Sequence, residues 1–100
     1  MSAAAFEQAT QDILKLTKPV EDTVQLQIYA LYKIARNEDI SKSKPGMFDI
    51  KAKYKKNAWQ ASLDRGVTPE QAQKEYTETI EKLKVTHGYD PNKVPEKVRA

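Results

Sequence analysis

Apolar residues recur at intervals of three and four along most of the chain, which is the spacing of helices with one buried face. The first helix is predicted to run from a cap at Ser2 to the stop at Lys18-Pro19. Its apolar side comprises Phe6, Ala9, Ile13 and Leu16. The second helix is predicted from Glu21-Asp22, whose acids suit the positive end of the helix dipole, to about Asn37. Its apolar stripe comprises Val24, Ile28, Leu31 and Ala35.

The middle of the chain predicts a loop followed by a third helix. Residues 38 to 48 show no periodicity, and Pro45-Gly46 is placed as a type II turn requires. Asp49 can cap a helix that ends near Arg65, where Gly66 supplies the left-handed residue that closes it. The apolar stripe of this helix comprises Ala52, Trp59 and Leu63.

A fourth helix is predicted from a strong start signal. In Thr68-Pro69-Glu70-Gln71 the threonine caps, the proline occupies the first helical position, and the glutamine completes a capping box. The helix runs to His87, and Gly88 ends it. Its inner side comprises Ala72, Tyr76, Thr79, Ile80 and Leu83. Because no segment alternates as a strand does, we predict an all-α four-helix bundle.

The length and composition of the sequence restrict the class of protein further. A chain of 100 residues that is 39% apolar and 31% charged is typical of one globular domain, and no apolar run is long enough to span a bilayer. The start of the sequence has neither the basic residues nor the apolar run of a secretory signal, and there is no cysteine. We therefore expect a cytosolic protein.

The second helix carries a second, polar face. Tyr29, Tyr32, Lys33 and Arg36 are three or four residues apart, so they form one surface, here called the tyrosine–lysine face. The net charge is only +3, but residues 42 to 56 hold six lysines against one acid. Phenol rings and ammonium groups together suit a flat, anionic ligand. Lysines of the third helix could join Lys33 if the two helices pack side by side.

Other interpretations of the polar residues remain open. The lysine-dense segment also fits a solvated helix face, or a helical module that binds nucleic acid or an anionic membrane. No nucleophile with its base, no Gly-rich phosphate loop and no metal-ligand spacing is present in the sequence, so we expect neither an enzyme nor a metal site. The single histidine, His87, lies in the last turn of its helix, where a partly charged imidazole favours the dipole.

These residues together resemble the acyl-CoA-binding protein family, small cytosolic carriers of long-chain fatty acyl-CoA esters. The similarity extends from about Phe6 to Gly88. It is carried by Tyr29-Ala30-Leu31-Tyr32-Lys33, by Lys44-Pro45-Gly46-Met47-Phe48-Asp49, by Lys51-Ala52-Lys53 through Lys55 to Asn57-Ala58-Trp59, and by the helix that holds Tyr76. The resemblance implies an up-down-down-up bundle with the ligand between the second and third helices, and no catalysis or cofactor.

The resemblance also implies a role for each matching residue. Tyr29, Lys33 and Lys55 would hold the 3'-phosphate of the CoA ribose, and Tyr32 would stack on the adenine. Lys51 would add charge nearby and Tyr76 would complete the wall. Ala30 and Leu31 would contribute contacts within the same segment, and Leu26 is a candidate for the acyl chain. The expected ligand is thus a medium- to long-chain fatty acyl-CoA.

Two positions depart from the family pattern. Leu14 stands where many members carry a phosphate-contacting lysine, and Lys56 stands where tryptophan is usual. We expect these departures to alter affinity or chain-length preference and not the class of ligand. Residues 1 to 88 would form the acyl-CoA-binding domain, and residues 89 to 100 a short appendage. The expected protein is a monomer that makes transient contact with acyl-CoA-using enzymes or membranes.

Overall fold

Four α-helices form the framework of the computed structural model, which describes residues 3–94. They are α1 (Ala3–Asp12), α2 (Asp22–Ala35), α3 (Ile50–Asp64) and α4 (Pro69–His87), with short 3-10 turns at Ile13–Lys15 and Ile40–Lys42. Over the described range there is no strand, and the β-type pairing is an isolated bridge between Leu16 and Tyr89. The predicted all-α four-helix architecture is confirmed. The predicted cap at Ser2 lies outside the described residues.

Local capping signals set the helix starts as predicted. The Asp49 carboxylate accepts a hydrogen bond from the Ala52 N–H at 3.0 Å at the start of α3. At the start of α4, the Thr68 hydroxyl accepts from the Gln71 N–H at 3.3 Å, and the Gln71 side chain accepts from the Thr68 N–H at 3.1 Å. Each cap satisfies backbone donors that the first helical turn leaves unpaired, so the sequence alone is sufficient to locate these ends.

Two local predictions are wrong. The first helix does not continue to Lys18, since α1 ends at Asp12 and, after the 3-10 turn, Leu16 is extended and pairs with Tyr89. The Pro45-Gly46 turn is not type II, because among the described glycines only Gly66 and Gly88 have positive φ. The chain instead turns two residues later, where the Asp49 N–H donates to the Gly46 carbonyl at 3.1 Å.

The core lies where α2 packs against both α3 and α4, while α1 packs against α4. Its buried apolar side chains are Phe6, Ala9, Leu16, Ile28, Ala30, Leu31, Ile34, Ala35, Trp59, Ala72, Tyr76, Ile80 and Leu83. The predicted stripes supply most of these residues. Leu63 is an exception: it is exposed, because α3 turns Ser62, three residues after Trp59, toward the bundle in its place.

No helix within residues 3–94 is both long enough and apolar enough to cross a membrane.

Candidate functional site

The side-by-side packing of α2 and α3 gathers two aromatic rings and two ammonium groups. The Tyr29 ring on α2 meets the Trp59 ring on α3 edge-on, with centroids 6.4 Å apart. The Lys33 Nζ lies 5.5 Å from the Tyr29 centroid and 5.8 Å from that of Trp59. From α3, the Lys55 Nζ lies 5.3 Å from the same Tyr29 ring. We call Tyr29, Lys33, Lys55 and Trp59 the aromatic–lysine cluster; it has the convergence of Lys33 and Lys55 that the sequence predicts.

Trp59 belongs to this cluster, although the sequence does not predict it as a site residue. Its ring is buried, and its indole N–H has no hydrogen-bond partner among the described residues. The signal that could have identified it is its position four residues after Lys55, which puts the two side chains on one side of α3. Burying a hydrogen-bond donor without an acceptor lowers the stability of the fold. The indole N–H of Trp59 is therefore a donor for which the described residues supply no acceptor.

Glu38 is a second residue that sequence reasoning missed. Its carboxylate accepts from the Lys33 Nζ at 2.9 Å and lies 3.4 Å from the Arg36 Nε. The chain bends back after α2, where the Glu38 N–H donates to the Lys33 carbonyl at 3.1 Å, and this bend brings the carboxylate to the helix end. The ammonium group of Lys33 is therefore already paired with an acid of the same chain.

Tyr32 does not lie with Tyr29, so the predicted tyrosine–lysine face is divided. The Tyr32 ring turns toward α1 and α4, with centroids 6.2 Å from Phe6 and 6.1 Å from Tyr76. The Arg36 guanidinium covers it, with Cζ 5.3 Å from the ring centroid. Tyr29 packs on α3 instead. The two phenols are thus neighbours on α2 whose rings pack against different helices.

Three other predicted site residues lie in the core. Tyr76 packs edge-on against Phe6 at 5.2 Å and is buried. Burial raises the pKa of its phenol, and the neighbouring Tyr32 adds to the effect, so the group is neutral. Ala30 is 0% exposed and Leu31 is 1% exposed. The structure gives these two no surface with which to touch a ligand, because both face the interior that α2 shares with its neighbours.

The remaining predicted lysine, Lys51, is exposed one turn before Lys55 on α3, and within residues 3–94 it makes no ion pair or cation–π contact with the aromatic–lysine cluster. Of the two departures from the family pattern, Leu14 is exposed beside α1. Lys56 is half-buried and its Nζ donates to the Ser43 carbonyl at 2.6 Å, which fastens the loop before α3 to that helix.

His87 lies apart from the cluster, in the last turn of α4. Its Nε2 is 3.0 Å from a carboxylate oxygen of Glu21, just before α2, and this contact lowers the pKa of the Glu21 carboxyl. The histidine therefore joins two helix ends. Across residues 3–94, no group of three His, Cys, Asp or Glu side chains could hold a metal ion.

The cluster can bind a flat or anionic group: two cations flank a phenol ring at the seam between α2 and α3. Comparison with known proteins identifies the family of the chain. A family model described as Acyl CoA binding protein matches residues 3–80.

Two curated relatives are similar over most of their length. The acyl-CoA-binding protein homolog of Drosophila melanogaster is 39% identical over 83 residues, covering 83% of this chain and 94% of its own. The acyl-CoA-binding protein of Saccharomyces cerevisiae is 39% identical over 84 residues, covering 83% of this chain and 93% of its own. With a family match over most of the chain and relatives at this identity, the chain belongs to the acyl-CoA-binding protein family.

Proposed function

We propose that this protein binds medium- to long-chain fatty acyl-CoA esters and carries them, without acting on them chemically. The observation that supports the proposal most directly is that the ammonium groups of Lys33 and Lys55 both lie close to the Tyr29 ring. Membership of the acyl-CoA-binding protein family gives the chemical class of the ligand. We further propose a monomeric, cytosolic carrier that passes the ester to enzymes or membranes.

The predicted residues have different roles in the proposed head site. Tyr29, Lys33 and Lys55 bind the 3'-phosphate, because a phenol O–H and two ammonium groups are donors to an anion. Tyr32 stacks on the adenine and Lys51 adds positive charge at the rim. Tyr76 supports Tyr32 from behind, since the two rings are 6.1 Å apart. Ala30 and Leu31 hold α2 in place from the core.

The acyl chain supplies most of the proposed binding free energy. Each buried methylene contributes about 0.8 kcal/mol, so ten of them contribute about 8 kcal/mol before the cost of immobilisation is subtracted. A charge-assisted hydrogen bond to the head contributes about 1.5 to 3 kcal/mol. The tail therefore drives affinity, and the head selects the CoA ester from other lipids.

Isothermal titration calorimetry with three ligands tests the proposal. Palmitoyl-CoA should bind far more tightly than either free CoA or palmitate, because only the ester engages both halves of the site. Equal affinity for palmitate and palmitoyl-CoA would exclude a CoA head site.

The position of the phosphate is tested by a double variant with a matched control. Lys33→Ala with Lys55→Ala should weaken palmitoyl-CoA binding by about tenfold or more and reduce its salt dependence, since two cations near one phosphate are lost. Lys74→Ala with Lys82→Ala removes the same charge from exposed positions on α4 and should leave the affinity within about twofold. Equal effects of the two double variants would mean that net charge matters and the proposed contacts do not.

A further inference from the structure

Arg36 belongs to the tyrosine–lysine face but has no role in the proposed head site. Its guanidinium lies over the Tyr32 ring, with Cζ 5.3 Å from the centroid. Its Nε lies 3.4 Å from Oε2 of Glu38, while Oε1 of the same carboxylate is 2.9 Å from the Lys33 Nζ. Among residues 3–94, Glu38 is the only ion-pair partner of Arg36. One carboxylate therefore bridges a cation of the proposed phosphate site and a cation that covers the proposed adenine site.

The backbone at the end of α2 sets the position of Glu38. Asn37 has φ 55°, in the left-handed region, and its N–H donates to the Ile34 carbonyl at 2.8 Å. The Glu38 N–H donates to the Lys33 carbonyl at 3.1 Å. These two hydrogen bonds form a Schellman motif, in which the left-handed residue after the helix is usually glycine and sometimes asparagine. The Glu38 side chain therefore extends from a hydrogen-bonded turn beside Lys33.

The Glu38 carboxylate marks a place where one anion contacts two cations. Arginine binds carboxylates and phosphates with the same N–H donors, because both groups offer neighbouring oxygens. A guanidinium has five N–H donors, so Arg36 has further donors for the other oxygens of a phosphate. A phosphate in the place of the Glu38 carboxylate would thus contact Lys33 and Arg36 together.

The charge of the incoming group decides how readily it displaces Glu38. The side chains of Arg36 and Glu38 are 49% and 36% exposed, so their ion pair is weak. A phosphate monoester carries a charge of about −1.5 to −2 at pH 7, as on phosphoserine, whereas a carboxylate carries a single charge. A terminal phosphate therefore competes for the two cations better than a singly charged group does.

We propose that Arg36 is a ligand-binding residue, which contacts the 3'-phosphate of the CoA ribose together with Lys33 after that phosphate displaces Glu38. This inference rests on the proposed function, since it concerns the same phosphate. The adenine and the 3'-phosphate are attached to one ribose, and Arg36 lies between the Tyr32 ring and the carboxylate that Lys33 binds. Glu38 is then an internal competitor that favours ligands with a terminal phosphate.

Calorimetry with two ligands tests the role of Arg36. Palmitoyl-CoA and the palmitoyl thioester of dephospho-CoA differ only in the 3'-phosphate, and a salt concentration of about 50 mM limits screening. Arg36→Gln should weaken palmitoyl-CoA binding about fivefold and leave the affinity for the dephospho ligand within about twofold. Lys82→Gln removes one charge from an exposed position on α4 and should leave both affinities within about twofold.

A second background separates direct contact from an effect through Glu38. Arg36→Gln also removes a cation that draws the Glu38 carboxylate, which leaves Glu38 to Lys33 alone. If Arg36 contacts the phosphate itself, Arg36→Gln should weaken palmitoyl-CoA binding about fivefold in the Glu38→Gln protein as well. Loss of the effect in that background would mean that Arg36 acts only through Glu38, and the proposal would be wrong.

Two other results would contradict the contact without touching the proposed function. Equal weakening of both ligands by Arg36→Gln would mean that Arg36 supports the adenine or the fold and does not bind the 3'-phosphate. Unchanged affinity for both ligands would place Arg36 outside the site. A failure of the proposed function would look different, because the unaltered protein would then bind palmitoyl-CoA no better than palmitate, and the role of Arg36 would be excluded with the head site.

Discussion

Asp12, at the end of α1, is a carboxylate placed almost entirely inside the protein. It is 4% exposed, and it accepts hydrogen bonds from Gln8 at 2.9 Å and from the Tyr89 hydroxyl at 3.1 Å. The Lys84 Nζ is 2.6 Å from its other oxygen. Burial by itself raises the pKa of Asp12, but the hydrogen bonds from Lys84, Gln8 and Tyr89 outweigh burial and hold the pKa below its ordinary value. The ionised form therefore stabilises the fold.

Asp12→Asn should lower the free energy of unfolding at pH 7 by about 2 kcal/mol, because the ion pair with Lys84 is lost and an amide N–H₂ donor replaces one of two oxygens that both accept hydrogen bonds. A lowered native pKa contributes stability above the unfolded pKa of about 3.9 and loses it as the pH falls further. The difference between Asp12→Asn and the unaltered protein should thus be full at pH 6 to 7 and shrink below about pH 4. Urea unfolding at several pH values measures it.

Asp64→Asn is the matched control, since Asp64 is exposed on α3 and accepts only from Gln60 among the described residues. It should change stability by less than about 0.5 kcal/mol. A pH-independent difference for Asp12→Asn would show that lost packing, and not ionisation, is responsible.

Glu38 provides a second test at the scale of one residue. Its carboxylate forms ion pairs with Lys33 and Arg36, so a ligand phosphate must compete with it for the Lys33 ammonium group. Glu38→Gln removes the competitor and should tighten palmitoyl-CoA binding by up to about fivefold, in keeping with the modest free energy of exposed ion pairs. Calorimetry at low salt measures the gain, and Glu75→Gln, on the surface of α4, serves as the control. Weaker binding of Glu38→Gln would mean that the carboxylate orients Lys33 for the ligand.

At the scale of helices and turns, the sequence is reliable where the signal is local. The caps at Asp49 and Thr68 and the glycine after α3 involve residues within four positions of one another, so they could be predicted without reference to how the helices pack. The turn near Gly46 could not be predicted in this way, because its backbone forms hydrogen bonds with Lys53 and Lys56, which lie on α3. The same holds for the end of α1, which depends on Tyr89.

Two glycines that follow helices have similar φ angles but different surroundings. Gly66 has φ 79° with nothing near its missing side chain, and Gly88 has φ 76° directly against the Thr17 hydroxyl. Thr17 is bonded at this point twice: its N–H donates to the Gly88 carbonyl at 3.0 Å and its hydroxyl to the His87 carbonyl at 2.9 Å. The segment after α1 thus supplies the hydrogen-bond donors for carbonyl groups at the C-terminal end of α4.

Gly66→Ala should cost about 1 kcal/mol of unfolding free energy, which is the strain of a left-handed alanine. Gly88→Ala should cost about 2 kcal/mol more, because its Cβ collides with Thr17 and disturbs both bonds. Urea unfolding of the two variants side by side provides the comparison. Similar losses would show that Thr17 can move aside at little cost.

At the scale of the whole molecule, the sequence predicts more of the candidate site than of the contact between the segment after α1 and the segment after α4. Helical spacing alone places Lys33 beside Tyr29, and the packing of α2 on α3 then adds Lys55. The different ring partners of Tyr29 and Tyr32 depend on which helices pack against α2, which is a property of the assembled bundle. Pairing of Leu16 with Tyr89 joins residues more than seventy positions apart, and no local pattern signals it.

Residues 89 to 94 contact α1 and the segment that follows it, whereas the sequence predicts a domain that ends at residue 88. The Tyr89 hydroxyl donates to Asp12, the Asp90 N–H donates to the Lys15 carbonyl at 3.0 Å, and the Lys93 Nζ donates to the Leu16 carbonyl at 2.6 Å. The Lys84 ammonium also lies 4.7 Å from the Tyr89 ring centroid. These contacts cover the point where α1 ends and its chain becomes extended.

Truncation tests where the domain ends. A chain ending at Gly88 should be less stable to urea than one ending at Val94 by about 2 to 3 kcal/mol, because each of the three lost hydrogen bonds contributes about 1 kcal/mol. Both chains should bind palmitoyl-CoA with similar affinity if residues 1 to 88 contain the whole site. Equal stability would confirm a boundary at residue 88, whereas a loss of affinity confined to the shorter chain would extend the binding domain into the segment that holds Tyr89 and Lys93.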